Sequence, residues 1–289
     1  MKRKCYAKIN LSLDSLYQRV DGYHEIDTIM ARINLFDELI INKNDSGQFL
    51  YSSNNDNIGN LEDNLIYKVW HMLKDRTDNP GLDVKLIKNI PIAAGLAGGS
   101  TDAAEMIKGL NELWNLSLNS QEMMDIGARL GADIPFFFTD TPARARGIGE
   151  IITPFENNLD MKILLINDGT HISSAEVYKN LKDYGHIDND LIVKKLEDGD
   201  HSAIFYFENV MEDVVTDLYP HLLDINGDFL DNGAEVTLIS GSGASIFGIF
   251  VDDETYNLAY ENLKDKYDFV KKVELIWQIL VYLTRALVA

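Results

Sequence analysis

The sequence predicts a mixed α and β protein of two domains, and three observations carry that reading. Extended segments, one of them strictly alternating, occupy the first forty residues. A glycine-rich loop, Gly95 to Ser100, runs directly into a stretch with helical periodicity. Beyond Asn157-Asn158-Leu159-Asp160 a fresh apolar strand, Met161 to Ile166, opens a further α/β unit. A chain of 289 residues suits two moderate cores better than one large core.

From Ala7 to Asp14 the apolar Ala7, Ile9, Leu11 and Leu13 alternate with Lys8, Asn10, Ser12 and Asp14, which predicts a half-buried strand. The period of two puts Lys8 and Asn10 on one face, toward solvent or a cleft. Asp21-Gly22 signals a turn, and Ile26 to Asn42 reads as extended chain. The polar stretch Asn42 to Asn60 predicts loop or a short hairpin. Asn64 to Lys74 has Leu65, Ile66, Val69, Trp70 and Leu73 at helical spacing. After the glycine loop, Ala103, Met106, Ile107, Leu110, Leu113 and Trp114 predict a helix that starts near Thr101. A second helix, Ser120 to Leu130, leads to Gly131-Ala132-Asp133-Ile134-Pro135 and the run Phe136 to Phe138. Taking residues 157–160 as the linker divides the chain into domains 1–156 and 157–289. The apolar tail Trp277 to Ala289 is unusual for a terminus.

Composition narrows the function classes. With 46% hydrophobic and 25% charged residues the chain is globular, not disordered. Lys and Arg total 26 against 46 Asp and Glu, so the formal charge is 26 − 46 = −20. That balance argues against nucleic acid or an anionic membrane as partner, since both rely on cationic side chains displacing counterions. A small polyanion remains compatible if amide donors and a few cations converge locally. Cys5 is the single cysteine, which excludes an intrachain disulfide and cysteine-based metal clusters. The start Met1-Lys2-Arg3-Lys4 is followed by alternation, not by the apolar block of a signal peptide. The stretch Leu275 to Ala289 is interrupted by Gln278 and Arg285 and falls short of the roughly 20 apolar residues a membrane span needs. The expectation is a soluble cytoplasmic protein, a monomer or homodimer.

The segment Pro91-Ile92-Ala93-Ala94-Gly95-Leu96-Ala97-Gly98-Gly99-Ser100-Thr101-Asp102 carries the most chemical information. Small residues let a backbone approach a ligand closely, and a helix N-terminus presents amide donors and a positive dipole end, together a phosphate cradle. The same glycines would also serve tight turns and helix packing. No Gly-Lys dipeptide occurs, so this is not a Walker A loop, and the dinucleotide fingerprint G-x-G-x-x-G is absent.

Pro91 to Ala104 resembles the ATP-binding motif of the GHMP kinases. Ala7-Lys8-Ile9-Asn10-Leu11 and Ile239-Ser240-Gly241-Ser242-Gly243-Ala244-Ser245 fit the same superfamily in order. Asp21-Gly22-Tyr23-His24-Glu25 and Gly131-Ala132-Asp133-Ile134-Pro135 are similar to a branch whose acceptor is a cytidine-diphosphate-linked polyol. The resemblance implies an α+β, two-domain GHMP kinase fold: an N-terminal domain like ribosomal protein S5, a C-terminal ferredoxin-like α/β domain, and the active site in the cleft between them. It implies ATP as co-substrate, Mg²⁺, and phosphoryl transfer to a hydroxyl group. Lys8 and Asp133 match the catalytic pair, a carboxylate suiting proton acceptance and an ammonium suiting charge stabilisation. Asn10, Tyr23, His24, Ser174 and Tyr178 match substrate-binding positions, with aromatic faces for a pyrimidine and an imidazole for its edge. Tyr178 also fits a helix face with Ala175 and Leu181. Asn64, Leu65 and Lys88 match the adenine pocket, Pro91, Ala93, Ala94, Gly95, Leu96, Ala97, Gly98, Gly99, Ser100 and Thr101 the phosphate loop, and Gly241 and Gly243 a late glycine loop. No metal ligands are assigned.

The chain departs from the family pattern at Asp140-Thr141, where a Gly-Gly pair is usual, at Asp168-Gly169 in place of Pro-Gly, and at Ser174 in place of threonine. A homoserine or mevalonate kinase is the second reading, against which Tyr23 and His24 speak, and a nucleotide-binding paralogue without activity is the third.

Overall fold

A computed structural model describes residues 1–55 and 60–276. The apolar tail Trp277 to Ala289 therefore lies outside the described residues. In chain order the elements are β1 (Lys2–Gln18), β2 (His24–Lys43), β3 (Phe49–Ser53), α1 (Leu65–Leu73), β4 (Leu82–Ile87), α2 (Gly98–Leu113), α3 (Ser120–Ala128), β5 (Ala143–Gly147), β6 (Ile151–Pro154) and β7 (Lys162–Asn167). They continue with α4 (Ser174–Asn180), α5 (Asn189–Glu197), α6 (Glu212–Leu218), α7 (Leu222–Asp231), β8 (Val236–Ile239), β9 (Ile246–Phe250), α8 (Asp253–Leu263) and β10 (Phe269–Val273). Helices and strands alternate irregularly over one mixed and one antiparallel sheet, an α+β architecture.

The chain forms two compact units whose boundaries cross the sequence more than once. One unit comprises Met1–Ala7, Leu35–Ile90 and Ala97–Thr139. In it the second half of β2 pairs antiparallel with β4 (Leu39 opposite Leu86), and β4 pairs in parallel with β3 (Tyr51 opposite Val84). Helix α1 lays Ile66, Val69, Trp70 and Leu73 inward, and α2 contributes Met106, Ile107 and Leu110. Asn119 and Glu122 form a reciprocal capping box that starts α3. Phe136 and Phe137, both buried, end this unit in a short 3-10 helix.

The other unit comprises Lys8–Asn34, Pro91–Leu96 and residues from Asp140 onward. Its first half of β2 pairs with β5, and β5 with β6. A four-stranded antiparallel sheet runs β10-β7-β9-β8, with Leu164 opposite Gly248 and Leu238 opposite Phe247. Leu164, Ile166, Val177, Val215, Leu222, Ile225, Phe229 and Ile246 form its core.

Three expectations need correction. The stretch 42–60 is neither plain loop nor hairpin: it contains β3, whose partner β4 lies some thirty residues on, and the Asn- and Ser-rich flanks hide that pairing. Helix α2 begins at Gly98, ahead of Thr101, because tertiary packing overrides the poor helix propensity of Gly98 and Gly99. Strand β1 is not half-buried, since Lys8, Asn10, Ser12 and Asp14 are as enclosed as the apolar residues between them.

Candidate active site

The enclosure of the polar row on β1 has a direct cause: every member meets a partner supplied from far along the chain. Ser12 donates to Asn189 Oδ1 at 2.5 Å, and Asp14 accepts the main-chain N–H groups of Gly185 at 3.0 Å and Ile187 at 2.9 Å. Lys8, 4% exposed, donates from Nζ to Asn10 Oδ1 at 2.5 Å and to the Gly95 carbonyl at 3.0 Å. Asn10 donates from Nδ2 to Thr28 Oγ1 at 2.8 Å. Its own main-chain N–H donates to Ser240 Oγ at 3.3 Å, while Ser240 donates to the same Gly95 carbonyl at 3.0 Å.

Two glycine segments converge on this centre. Gly95 has φ +73°, and a Cβ there would stand 1.9 Å from the Ser240 carbonyl oxygen, so no side chain fits. The Leu96 carbonyl accepts the Lys8 N–H at 3.1 Å, and the Ala94 carbonyl accepts that of Ser245 at 3.2 Å. A Cβ on Gly241, φ +59°, would stand 3.4 Å from both Lys8 Nζ and Asn10 Oδ1. Gly243, φ +86°, completes the late loop, which Asn209 holds by donating to the Ile239 and Gly241 carbonyls at 2.8 and 2.7 Å. Thus Lys8, Asn10, Gly95 and Gly241 are brought together, with Pro91, Ala93 and Ala94 leading into the turn.

The first turn of α2 carries Gly98, Gly99, Ser100 and Thr101. Its N-cap is Ala97, held at φ 53°, which makes no side-chain capping bond, so the leading amides of the helix are not covered by a capping side chain. Below this turn Lys88 Nζ lies against Gly98, and Leu65 packs on Gly99. Asn64 caps α1 by accepting the Ile66 N–H at 2.9 Å. The Lys88 ammonium, expected at an adenine pocket, is buried and bonded to two carboxylates, Asp37 and, at 3.0 Å, Asp102. Asp37 is further satisfied by the main-chain N–H groups of Asn89 at 2.5 Å and Ile90 at 2.8 Å. One ammonium cannot neutralise both acids. Burial pushes the Asp102 carboxyl up to about 7, opposed by Lys88 and reinforced by Asp37. Burial alone would lower the Lys88 ammonium, but Asp102 and Asp37 hold it above its ordinary range.

The aromatic group lies on the unit that holds Lys8. His24 is 7% exposed and stacks on Tyr178, ring centres 4.9 Å apart, and on Tyr184 at 6.0 Å. Burial lowers the His24 pKa and so favours the neutral ring. Tyr184 donates its hydroxyl proton to the Leu181 carbonyl at 3.2 Å and so accepts from His24 Nε2 at 3.4 Å. Tyr23 is 61% exposed, with its main-chain N–H on Asp21 Oδ1. Ser174 begins α4, and its hydroxyl meets that of Ser242 at 2.7 Å. Asp133 is half-buried in the turn between α3 and the 3-10 helix, on the unit that carries the leading turn of α2.

Sequence reasoning missed Thr28, Ser240, Asp37, Asp102 and Tyr184 as parts of these clusters. Asp102 and Ser240 lie inside the two glycine-rich motif segments, while Thr28, Asp37 and Tyr184 carried no local signal.

Comparison with known proteins agrees along the chain. The family described as GHMP kinases N terminal domain matches residues 64–140, and that described as GHMP kinases C terminal matches residues 189–268. The chain is 41% identical over 278 residues to 4-diphosphocytidyl-2-C-methyl-D-erythritol kinase of Finegoldia magna, covering 95% of this chain and 99% of the relative. It is 37% identical over 270 residues to the protein of the same name from Alkaliphilus metalliredigens, covering 91% and 92%. A crystal structure of 4-(cytidine 5'-diphospho)-2C-methyl-D-erythritol kinase superposes with TM-score 0.81 at 28% identity over 95% of this chain and 99% of that one. The crystal structure of L. major mevalonate kinase in complex with R-mevalonate shares the fold at TM-score 0.73 and 16% identity, covering 95% of both chains.

Proposed function

The chain belongs to the 4-diphosphocytidyl-2-C-methyl-D-erythritol kinases of the GHMP kinase family, and on that premise we propose how it acts. It is an ATP-dependent kinase that phosphorylates the 2-hydroxyl of 4-diphosphocytidyl-2-C-methyl-D-erythritol, giving the 2-phosphate and ADP, a step of the non-mevalonate route to isoprenoid precursors. The observation that carries this reading is identity near 40% across nine tenths of the chain and of its relatives.

Phosphoryl transfer asks for positioning and charge stabilisation more than for covalent chemistry. The acceptor oxygen attacks the γ-phosphorus, the bond from that phosphorus to the β–γ bridging oxygen breaks, and ADP leaves with the electron pair. The hydroxyl proton passes to Asp133. Lys8, already fixed by Asn10 and the Gly95 carbonyl, supplies positive charge to the reacting groups. The main-chain amides of the first turn of α2 hold the triphosphate. Burial favours the neutral His24 imidazole, which with Nε2–H directed at Tyr184 keeps Nδ1 as an acceptor for an exocyclic amine such as that of cytosine. Tyr23 and Tyr178 offer faces for the same base, Ser174 a hydroxyl for the substrate, and Asn64, Leu65 and Lys88 the adenine side. Among the described residues no group of three or more His, Cys, Asp or Glu could hold a metal ion. Mg²⁺ bound with the nucleotide would neutralise charge on the triphosphate.

We place the domain boundary between residues 156 and 157, with which the two family matches at 64–140 and 189–268 are compatible. A coupled ADP-release assay with the cytidine-linked alcohol, homoserine and mevalonate tests the substrate. ADP release with the first alone is expected, and faster release with either of the others overturns the assignment.

A further inference from the structure

We propose that Thr28 is a positioning residue for this reaction: through the Asn10 side-chain amide it fixes where the Lys8 ammonium sits. The proposal deepens the reading of Lys8 given above and rests on it.

One proton fixes the orientation of the whole chain of hydrogen bonds. A threonine hydroxyl has a single proton and two lone pairs. Thr28 Oγ1 lies 2.5 Å from the Ser12 main-chain carbonyl, which can only accept, so the proton goes there. Toward Asn10, 2.8 Å away, the hydroxyl is left with a lone pair and must accept. The group Asn10 turns to Thr28 is therefore its NH₂, and the carbonyl Oδ1 faces the other way. Lys8 Nζ lies on that side at 2.5 Å, and an ammonium can only donate. Both ends of the amide thus demand the same orientation.

Thr28, Asn10 and Lys8 are 1%, 2% and 4% exposed, so water is poorly placed to substitute for a missing partner. In such surroundings an unmet amide donor is costly and an amide flip presents NH₂ to an ammonium. Thr28 itself is locked in place on β2, where it pairs with Ala145 of β5. The second anchor on Lys8, the Gly95 carbonyl, leaves the ammonium held from two sides, and Thr28 governs one of them.

The test compares Thr28→Val, which replaces the hydroxyl by a methyl of similar size, with Thr28→Ser, which restores the oxygen, and Lys8→Met as a reference. Steady-state kinetics with ATP and 4-diphosphocytidyl-2-C-methyl-D-erythritol give the first readout. Thr28→Val is expected to lower kcat about tenfold or more, the size of one lost hydrogen bond at the reacting group, with KM for ATP within about threefold, and Thr28→Ser to recover most of the loss. Wild-type turnover in Thr28→Val while Lys8→Met is impaired overturns the role of Thr28 alone. Wild-type turnover in Lys8→Met overturns the reading of Lys8 and the proposal with it. Independently of activity, the Asn10 side-chain amide protons should exchange slowly with solvent in the wild type and in Thr28→Ser, and fast in Thr28→Val. Equal exchange in all three contradicts the proposal. Should Thr28→Val not fold, Thr28→Cys takes its place, with a smaller loss of kcat expected and unchanged kcat counting against the proposal.

Discussion

Gly95 and Lys88 are two residues whose surroundings leave no room for substitution, for opposite reasons. At Gly95 the constraint is steric, because its left-handed φ of +73° and the Ser240 carbonyl 1.9 Å from an ideal Cβ both exclude a side chain. Gly95→Ala is expected to destabilise the protein by about 1–3 kcal/mol and to raise KM for ATP, since the loop must move away from Ser240. Urea unfolding and ATP-dependent kinetics check this, and an alanine variant with native values for both would contradict the close approach. At Lys88 the constraint is electrostatic. Removing the ammonium leaves Asp37 and Asp102 facing each other in a buried site. Lys88→Met is expected to cost about 3–5 kcal/mol of stability, measured by denaturant unfolding.

At the scale of elements, the late glycine loop depends on α6. Glu212 accepts the Ile239 N–H at 2.5 Å, and burial pushes its carboxyl up to about 7 despite that bond, with Asp213 and Glu208 adding to the rise. A folded-state value above the ordinary 4.5 means that the protonated form favours folding. The stabilising contribution is fully present below about pH 4.5 and is lost as the pH rises through about 7. Glu212→Gln keeps an acceptor but does not titrate. It should match the wild type near pH 4 and exceed it by on the order of 1 kcal/mol near pH 8, a figure reduced for partial solvent screening. Equal stabilities at both pH values would contradict the shift.

Elements also show how far the sequence could be read. Alternation located β1, and helical spacing located α1 and α2, because each pattern reports the chain's own period, while β2 was legible as extended chain after the Asp21-Gly22 turn. What covers the polar row of β1 was not legible, since Asn189, Gly185 and Ile187 come from more than 170 residues away. The same limit applies to the site. Lys8, Asn10 and Gly95 were readable as motif positions, as was the segment that holds Ser240, whereas Thr28 carries no motif and joins them only through the hydrogen bond from Asn10. The cage of Asp37 and Asp102 around Lys88 was likewise invisible, because one acid lies on β2 and the other on α2.

At the scale of the whole molecule, a formal charge of −20 sets the electrostatic problem. A triphosphate approaching so acidic a chain is repelled at long range, and on the proposed reading its charge is offset by a few local cations, the amides of α2 and a bound Mg²⁺. Turnover should therefore vanish in excess chelator and return on adding Mg²⁺, and full activity in chelator would contradict this.

The central claim is that a γ-phosphoryl group moves intact from ATP to the polyol hydroxyl of a cytidine-linked acceptor. Phosphorus NMR of the reaction mixture tests it most directly. One new phosphomonoester signal for each ADP formed is expected, with the acceptor's diphosphate signals retained. Inorganic phosphate in place of the monoester, or loss of the acceptor's diphosphate, would contradict it.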